Sequence, residues 1–309
     1  MKMQLTAMTA AIALAVSFSA SADPRGYEDS INDSANDGTN GGFAFQEKRR
    51  AEMNGSPEFS GDSATRSSII EQSGDDNSAE TVQSSNNTHE QWSRIIQSGN
   101  VNKALVLQEG DRHTSKITQT GGNNTANITQ GGKLNSSVVY QQAEAGVVNV
   151  EQAGNQHESK TYQWTGYGNE ANVTQTGGEL NDSYISQIGG DHNKATVKQI
   201  DSSLSDSIIN QSGNRNEADI TQQNNTDQTW SFVHQNGNDH DAVIIQDNAE
   251  LSSSSVYQRG SNYGHTAEIT QMNGSNNVST VRQGENHGGA GLAQVTQTGN
   301  NNSAIATQW

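Results

Sequence analysis

Ser93-Arg94-Ile95-Ile96-Gln97-Ser98-Gly99-Asn100-Val101-Asn102-Lys103-Ala104-Leu105-Val106-Leu107-Gln108 contains two five-residue patterns, Ser-x-Ile-x-Gln and Ala-x-Val-x-Gln, separated by six residues. Alternation with a period of two marks a β-strand that turns one face to a core. Three side chains of each pattern then point inward and two outward. The connecting residues include Gly and Asn, which tolerate the positive φ that a tight arc demands.

The first pattern recurs along the chain. It is found as Ser68-Ile70-Gln72, Ser93-Ile95-Gln97, Ser115-Ile117-Gln119, Ser137-Val139-Gln141 and Ser183-Ile185-Gln187. It continues as Ser207-Ile209-Gln211, Ser231-Val233-Gln235, Ser254-Val256-Gln258 and Ser279-Val281-Gln283, with Ser159-Thr161-Gln163 as a copy whose centre is polar. The second pattern alternates with it, as Ala104-Val106-Gln108, Ala126-Ile128-Gln130, Ala171-Val173-Gln175, Ala195-Val197-Gln199 and Ala218-Ile220-Gln222. Ala242-Ile244-Gln246, Ala267-Ile269-Gln271 and Ala293-Val295-Gln297 extend that series. Ala79-Thr81-Gln83 and Val148-Val150-Gln152 are imperfect copies, and Ala304-Ala306-Gln308 reads as its last member.

Self-similarity at a short fixed period is the signature of a stacked-repeat architecture. The expectation is an all-β, flattened, open-ended solenoid with cross-β geometry. Each coil of about 22–24 residues is strand, arc, strand, arc. The two strands of a coil cross the core in opposite directions, so the small Ser or Ala of one faces the long Gln of the other. Large against small keeps each layer near the ~10 Å spacing of packed sheets. A buried Gln left unpaired costs roughly 1–3 kcal/mol. Coils stacked ~4.8 Å apart let each amide bond to those above and below, as a ladder.

Composition agrees with a thin core. Only 30% of residues are apolar and 5% aromatic, too few for an ordinary globule. The chain begins with Met1-Lys2, an apolar run from Leu5 to Phe18, and Ala20-Ser21-Ala22, the pattern of a cleavable signal peptide over 1–22. Losing Lys2 would take the formal charge from −17 to −18, which disfavours nucleic acid and anionic membrane as partners. With no cysteine, an exported chain of this kind is not held by disulfides. The predicted organisation is signal peptide 1–22, leader 23–66, and repeat solenoid 67–309. Within the leader, residues 43–53 read as either part of a disordered segment or a short helix covering one edge of the solenoid.

The paired patterns, with Asn-x-Ala-x-Ile/Val-x-Gln strands following a Gly-containing arc, resemble the curlin repeat of curli fibre subunits. The resemblance covers roughly 67–309, and the Asn-rich end around Ala304, Ala306 and Gln308 is similar to the terminus of such subunits. It implies a secreted structural protein that forms extracellular amyloid fibres for biofilm matrix, adhesion and surface colonisation. Its implied partners are further copies of itself, a nucleating subunit and an outer-membrane secretion pore, with cell-surface or matrix polysaccharide as a further contact. It implies no catalytic residue, metal or cofactor. The ladder residues just quoted are then the fibre core. The chain departs from the family in having about ten repeats rather than five, and in lacking a Gly-rich leader.

Other readings leave different marks. A nucleating subunit should carry a less regular terminal repeat than the one between Gln283 and Gln297. A β-helical polysaccharide-degrading enzyme needs a cluster of acids on one face, whereas here the arcs are short and the acids scattered. An ice-binding solenoid needs two Thr columns, and only one is visible, at Thr129, Thr174, Thr221, Thr270, Thr296 and Thr307. Trp92 and Trp230 share an outward phase suited to lateral contacts. Asp239, His240 and Asp241 lack the spacing of a calcium roll.

Overall fold

A computed structural model describes residues 66–84, 90–260, 264–284 and 289–308. The signal-peptide reading, the leader up to residue 65, the alternatives for residues 43–53, and Trp309 all lie outside the described residues.

The described chain forms twenty-one strands in two sheets. The first sheet begins with β1 (Arg66–Ser73), β3 (Gln91–Asn100), β5 (Thr114–Gly122), β7 (Ser136–Gln141), β9 (Glu158–Thr165) and β11 (Asp182–Ile188). It continues through β13 (Asp206–Ser212), β15 (Trp230–Gly237), β17 (Ser253–Gly260), β19 (Val278–Gln283) and β21 (Ser303–Gln308). The second sheet begins with β2 (Ser78–Ser84), β4 (Lys103–Asp111), β6 (Thr125–Lys133), β8 (Val147–Asn155) and β10 (Glu170–Glu179). Its remaining strands are β12 (Lys194–Ile200), β14 (Glu217–Gln223), β16 (Asp241–Glu250), β18 (Thr266–Ser275) and β20 (Leu292–Thr298).

Every strand pairs in parallel with the strand two places on, so the sheets grow in step: a β-solenoid of about ten turns. Register keeps like above like. Ser93, Ile95 and Gln97 sit over Ser115, Ile117 and Gln119, while Ala104, Val106 and Gln108 sit over Ala126, Ile128 and Gln130. A one-residue slip would turn every inward side chain outward, so the pattern fixes register.

The core is one continuous cluster of the branched and Ala columns of both sheets, from Ile95 to Val295. Ile117, Ile128, Ile185, Ile209, Ile220 and Ile244 are wholly buried. Only one branched side chain per strand is needed, because each coil borrows the interior of its neighbours.

Three expectations need correction. The final copy, Ala304-Ala306-Gln308, belongs to the first sheet, not the Ala series: β21 pairs with β19, and Ala304 stands over Ser279. Strict alternation of the sheets decides this, since β20 already occupies the second, and it moves Thr307 away from the other five Thr. Coil length reaches 26 residues between Gln271 and Gln297, where the longer arc precedes β20. Positive φ in the arcs falls on Gly and on Asn such as Asn123, Asn276 and Asn301, as expected, but also on residues of other types. Val101, Leu134 and Leu180 adopt it, while Asn102, Asn135 and Asn181 do not.

Candidate functional site

The chemistry of this chain is spread along the solenoid axis as columns of hydrogen bonds from coil to coil. In the first sheet, Gln72 Nε2 donates to Gln97 Oε1 at 2.7 Å, Gln97 to Gln119 at 2.8 Å, and Gln119 to Gln141 at 2.8 Å. The column runs on through Gln163, Gln187, Gln211, Gln235, Gln258 and Gln283 to Gln308. In the second sheet it runs from Gln83 through Gln108, Gln130, Gln152, Gln175, Gln199, Gln222, Gln246 and Gln271 to Gln297.

All these amides point the same way. The nitrogen of each donates to the oxygen of the next coil toward the C-terminus. Orientation is set by the second N–H, which donates to a backbone carbonyl across the core, as Gln97 does to Ser78 and Gln130 does to Thr114. A flipped amide would set oxygen against oxygen there.

The difference between Ser and Ala columns has a polar cause that size alone did not reveal. Ser207 Oγ donates to Gln222 Oε1 at 2.9 Å, Ser231 Oγ to Gln246 Oε1 at 2.9 Å, and Ser279 Oγ to Gln297 Oε1 at 2.7 Å. Gln108, Gln199 and Gln222 in turn donate to the hydroxyls of Ser115, Ser207 and Ser231. Hydroxyls of the first sheet therefore help satisfy the amides of the second. Ser93 and Ser183 take the same inward place and are buried.

A further pair of columns lies where strands begin. Asn102 N–H donates to Asn77 Oδ1, Asn124 N–H to Asn102 Oδ1, Asn193 N–H to Asn169 Oδ1 and Asn216 N–H to Asn193 Oδ1, all at 2.9–3.0 Å. Histidine substitutes for asparagine in several coils. His113 Nδ1 accepts from Asn135 N–H, His157 Nδ1 from Asn181 N–H, and His240 Nδ1 from His265 N–H. These rings must be unprotonated at Nδ1 to accept. Burial pushes the His113 and His157 imidazoles down from 6.5 to about 4. His240 belongs to this column, stacked on His265 at 5.2 Å between ring centroids. Among the described residues no group of three or more His, Cys, Asp or Glu is placed to hold a metal ion.

The sequence offers a clue to these columns: an Asn or His stands two residues before the first inward residue of fourteen of the twenty-one described strands. Where the residue is Gly, at Gly146 and Gly291, no side chain continues the column, although the Gly N–H still donates to the neighbour below: Gly146 N–H to Asn124 Oδ1 at 2.9 Å, and Gly291 N–H to His265 Nδ1 at 2.9 Å.

Outer residues also match between coils. Asn127, Asn149 and Asn172 form an amide chain at 2.9 and 3.0 Å. Tyr140 stacks on Tyr162 at 5.1 Å. Lys194 pairs with Glu217 at 2.6 Å and Arg215 with Asp239 at 2.7 Å. Trp92 faces outward as the phase requires and yet is buried, as is Lys116.

A sequence model described as the curlin associated repeat matches residues 94–121, which cover most of β3, all of β4 and most of β5: one coil and the first strand of the next. No curated protein matches the chain. The curlin-repeat family is structural rather than catalytic, and the resemblance to curli subunits is consistent with this match. The other coils reproduce the interior of the matched one column by column, so the chain is a β-solenoid whose coils share the pattern of the segment that matches the curlin associated repeat.

Proposed function

We propose that the chain is a secreted structural subunit that adds coil upon coil to further copies of itself, forming extracellular curli-type amyloid fibres. The observation that carries this reading is the unbroken pair of Gln columns, in which each coil presents to the next the same side chains it received. Such an interior is a template: a coil from another molecule meets it as well as a coil from the same one. The outermost described strands support it. Ile70 on β1 belongs to an inward column yet is 43% exposed, and the inward Ala304, Ala306 and Gln308 of β21 are only half-buried. We assign the chain to the fibre body rather than to a nucleating role, because its coils are regular from Gln72 to Gln308. Export by an outer-membrane pore, nucleation by a second subunit and contact with matrix polysaccharide complete this reading.

The test is assembly of the purified chain freed of residues 1–22, followed by thioflavin fluorescence, fibre diffraction and electron microscopy. Fibres should appear after a lag, with a reflection near ~4.8 Å along the axis. Preformed seeds should shorten the lag. A soluble, strand-rich monomer that persists in the presence of seeds would sink the proposal.

A further inference from the structure

The two sheets are unequal. Among the described residues the first has eleven strands and the second ten, so the outermost strand at either end, β1 or β21, belongs to the first sheet. β21 lies over β19, and no described strand lies over β20. A second copy stacked head to tail on β21 would set its β1 one spacing away, ~4.8 Å. In the second sheet its β2 would then stand two spacings from β20, ~9.6 Å. That distance is too great for one amide to reach the next.

The second Gln column shows what such a joint leaves unmade. Gln297 Nε2 donates to the Val278 carbonyl at 3.1 Å, and among the described residues no further Gln accepts its other N–H. At the opposite end Gln83 Nε2 donates to Gln108 at 2.9 Å, and among the described residues no amide donates to Gln83 Oε1. The open donor and the open acceptor meet only where β2 of one copy lies directly on β20 of another. The incoming β1 must then lie directly on β19, in the place that β21 holds.

β21 matches that place imperfectly. Gln308 fits, accepting from Gln283 at 2.8 Å. Ala304 stands over Ser279 and Ala306 over Val281, however, so neither the hydroxyl column nor the branched column continues. From β1, Ser68, Ile70 and Gln72 would continue Ser279, Val281 and Gln283 type for type. From β2, Ala79 and Gln83 would continue Ala293 and Gln297, with Thr81 over Val295. β21 is six residues long, whereas β1 is eight. Detaching β1 from β3 instead would break the Gln72–Gln97 bond and the 2.9 Å ion pair of Glu71 with Arg94. β21 is the strand more easily given up.

We propose that the layer which receives a second copy of this chain is β19 with β20, and that β21 is a removable cover: β1 of the incoming copy displaces β21 from β19 while its β2 pairs with β20. Both Gln columns then run unbroken across the joint, from Gln283 to Gln72 and from Gln297 to Gln83 of the incoming copy. The inference rests on the fibre reading and adds to it the strands that meet. It also gives β21 a role before assembly, when it covers half of the growing edge.

Two full-length variants test this, followed by the extension of wild-type seeds in thioflavin fluorescence. Thr280 and Ile305 are partners across β19 and β21, and the chain has no cysteine of its own. Oxidised Thr280→Cys with Ile305→Cys ties β21 down. It should extend seeds at least about ten-fold more slowly than the same chain reduced, since a tethered strand re-pairs before a free one replaces it. Ala306→Asp puts a carboxylate on the inward face of β21, weakens its hold on β19, and should shorten the lag about two-fold or more. Were β21 the layer on which copies dock, the tie would be harmless and Ala306→Asp would slow growth. Either result overturns the proposal and leaves the fibre reading standing, whereas wild-type chain that forms no fibres overturns both. Should the first pair lose its strand signal in circular dichroism, Arg282→Cys with Thr307→Cys ties the same strands.

Discussion

A buried glutamine is an expensive residue to place in a core unless every polar atom on it is used. Gln119 shows how this chain manages it: its oxygen accepts from Gln97, and its nitrogen donates to Gln141 and to the Lys103 carbonyl. Gln119→Ala therefore strands three groups at once. We expect a loss of roughly 2–4 kcal/mol, since one unsatisfied buried group costs about 1–3 kcal/mol and part of the site relaxes. Thr129→Ala, on the exposed side of β6, should change stability by less than about 0.5 kcal/mol. Denaturant midpoints of the two variants distinguish them, and equal midpoints would remove the ladder from the account. The histidines add a pH dependence. His113 and His157 have folded-state values depressed from 6.5 to about 4. Their contribution is complete above pH 6.5 and is lost as pH falls from there through 4, at most roughly 3 kcal/mol each. Thermal melts across that range should show the fall, and His113→Asn with His157→Asn, which keeps an acceptor, should flatten it. The Gln columns were readable in the sequence because their period matches the strand pattern. The Asn and His columns were not, because a residue's side-chain bond and its backbone preference predict the same composition in an arc.

At the scale of the element, the strands follow from alternation, and the arcs from a need for close approach. Gly99 has φ of +112°, and a Cβ built there would collide with the Gly121 carbonyl oxygen in the coil above. Gly131, by contrast, has its nearest such contact at 4.0 Å. Gly99→Ala should destabilise by more than about 1 kcal/mol, through backbone strain and displacement of the next coil, while Gly131→Ala should be close to neutral. Equilibrium unfolding of both variants measures the difference. Strand positions were legible throughout, even the polar copy on β9, because three columns vote at each. The sheet to which Ala304, Ala306 and Gln308 belong was not legible from composition. Ala there suggested the second sheet, and only alternation along the chain places it in the first.

For the whole molecule, uniform direction matters more than any one bond. Every pair of strands is parallel and every Gln amide donates toward the C-terminal end, so one edge offers acceptors and the other donors. In the proposed fibre, subunits must then join head to tail, since like edges would oppose oxygen to oxygen. Seeds carrying one fluorophore and extended with chain carrying another should show unequal growth at their two ends by microscopy. Symmetric growth from mixed orientations would contradict this polarity. The solenoid itself was legible from the repeat alone, because a one-dimensional fold repeats its instructions. The burial of outward residues such as Trp92 and Lys116 was not legible, because outward residues of the first sheet alternate like those of the second.

Because register places Ser115, Ile117 and Gln119 directly beneath Ser137, Val139 and Gln141, the stretch between equivalent points of two coils can be removed or copied without any neighbour noticing. A gene encoding such a chain is free to gain or lose whole turns by unequal recombination, and its length should drift in steps of one turn, while frameshifting fractions of a turn are purged.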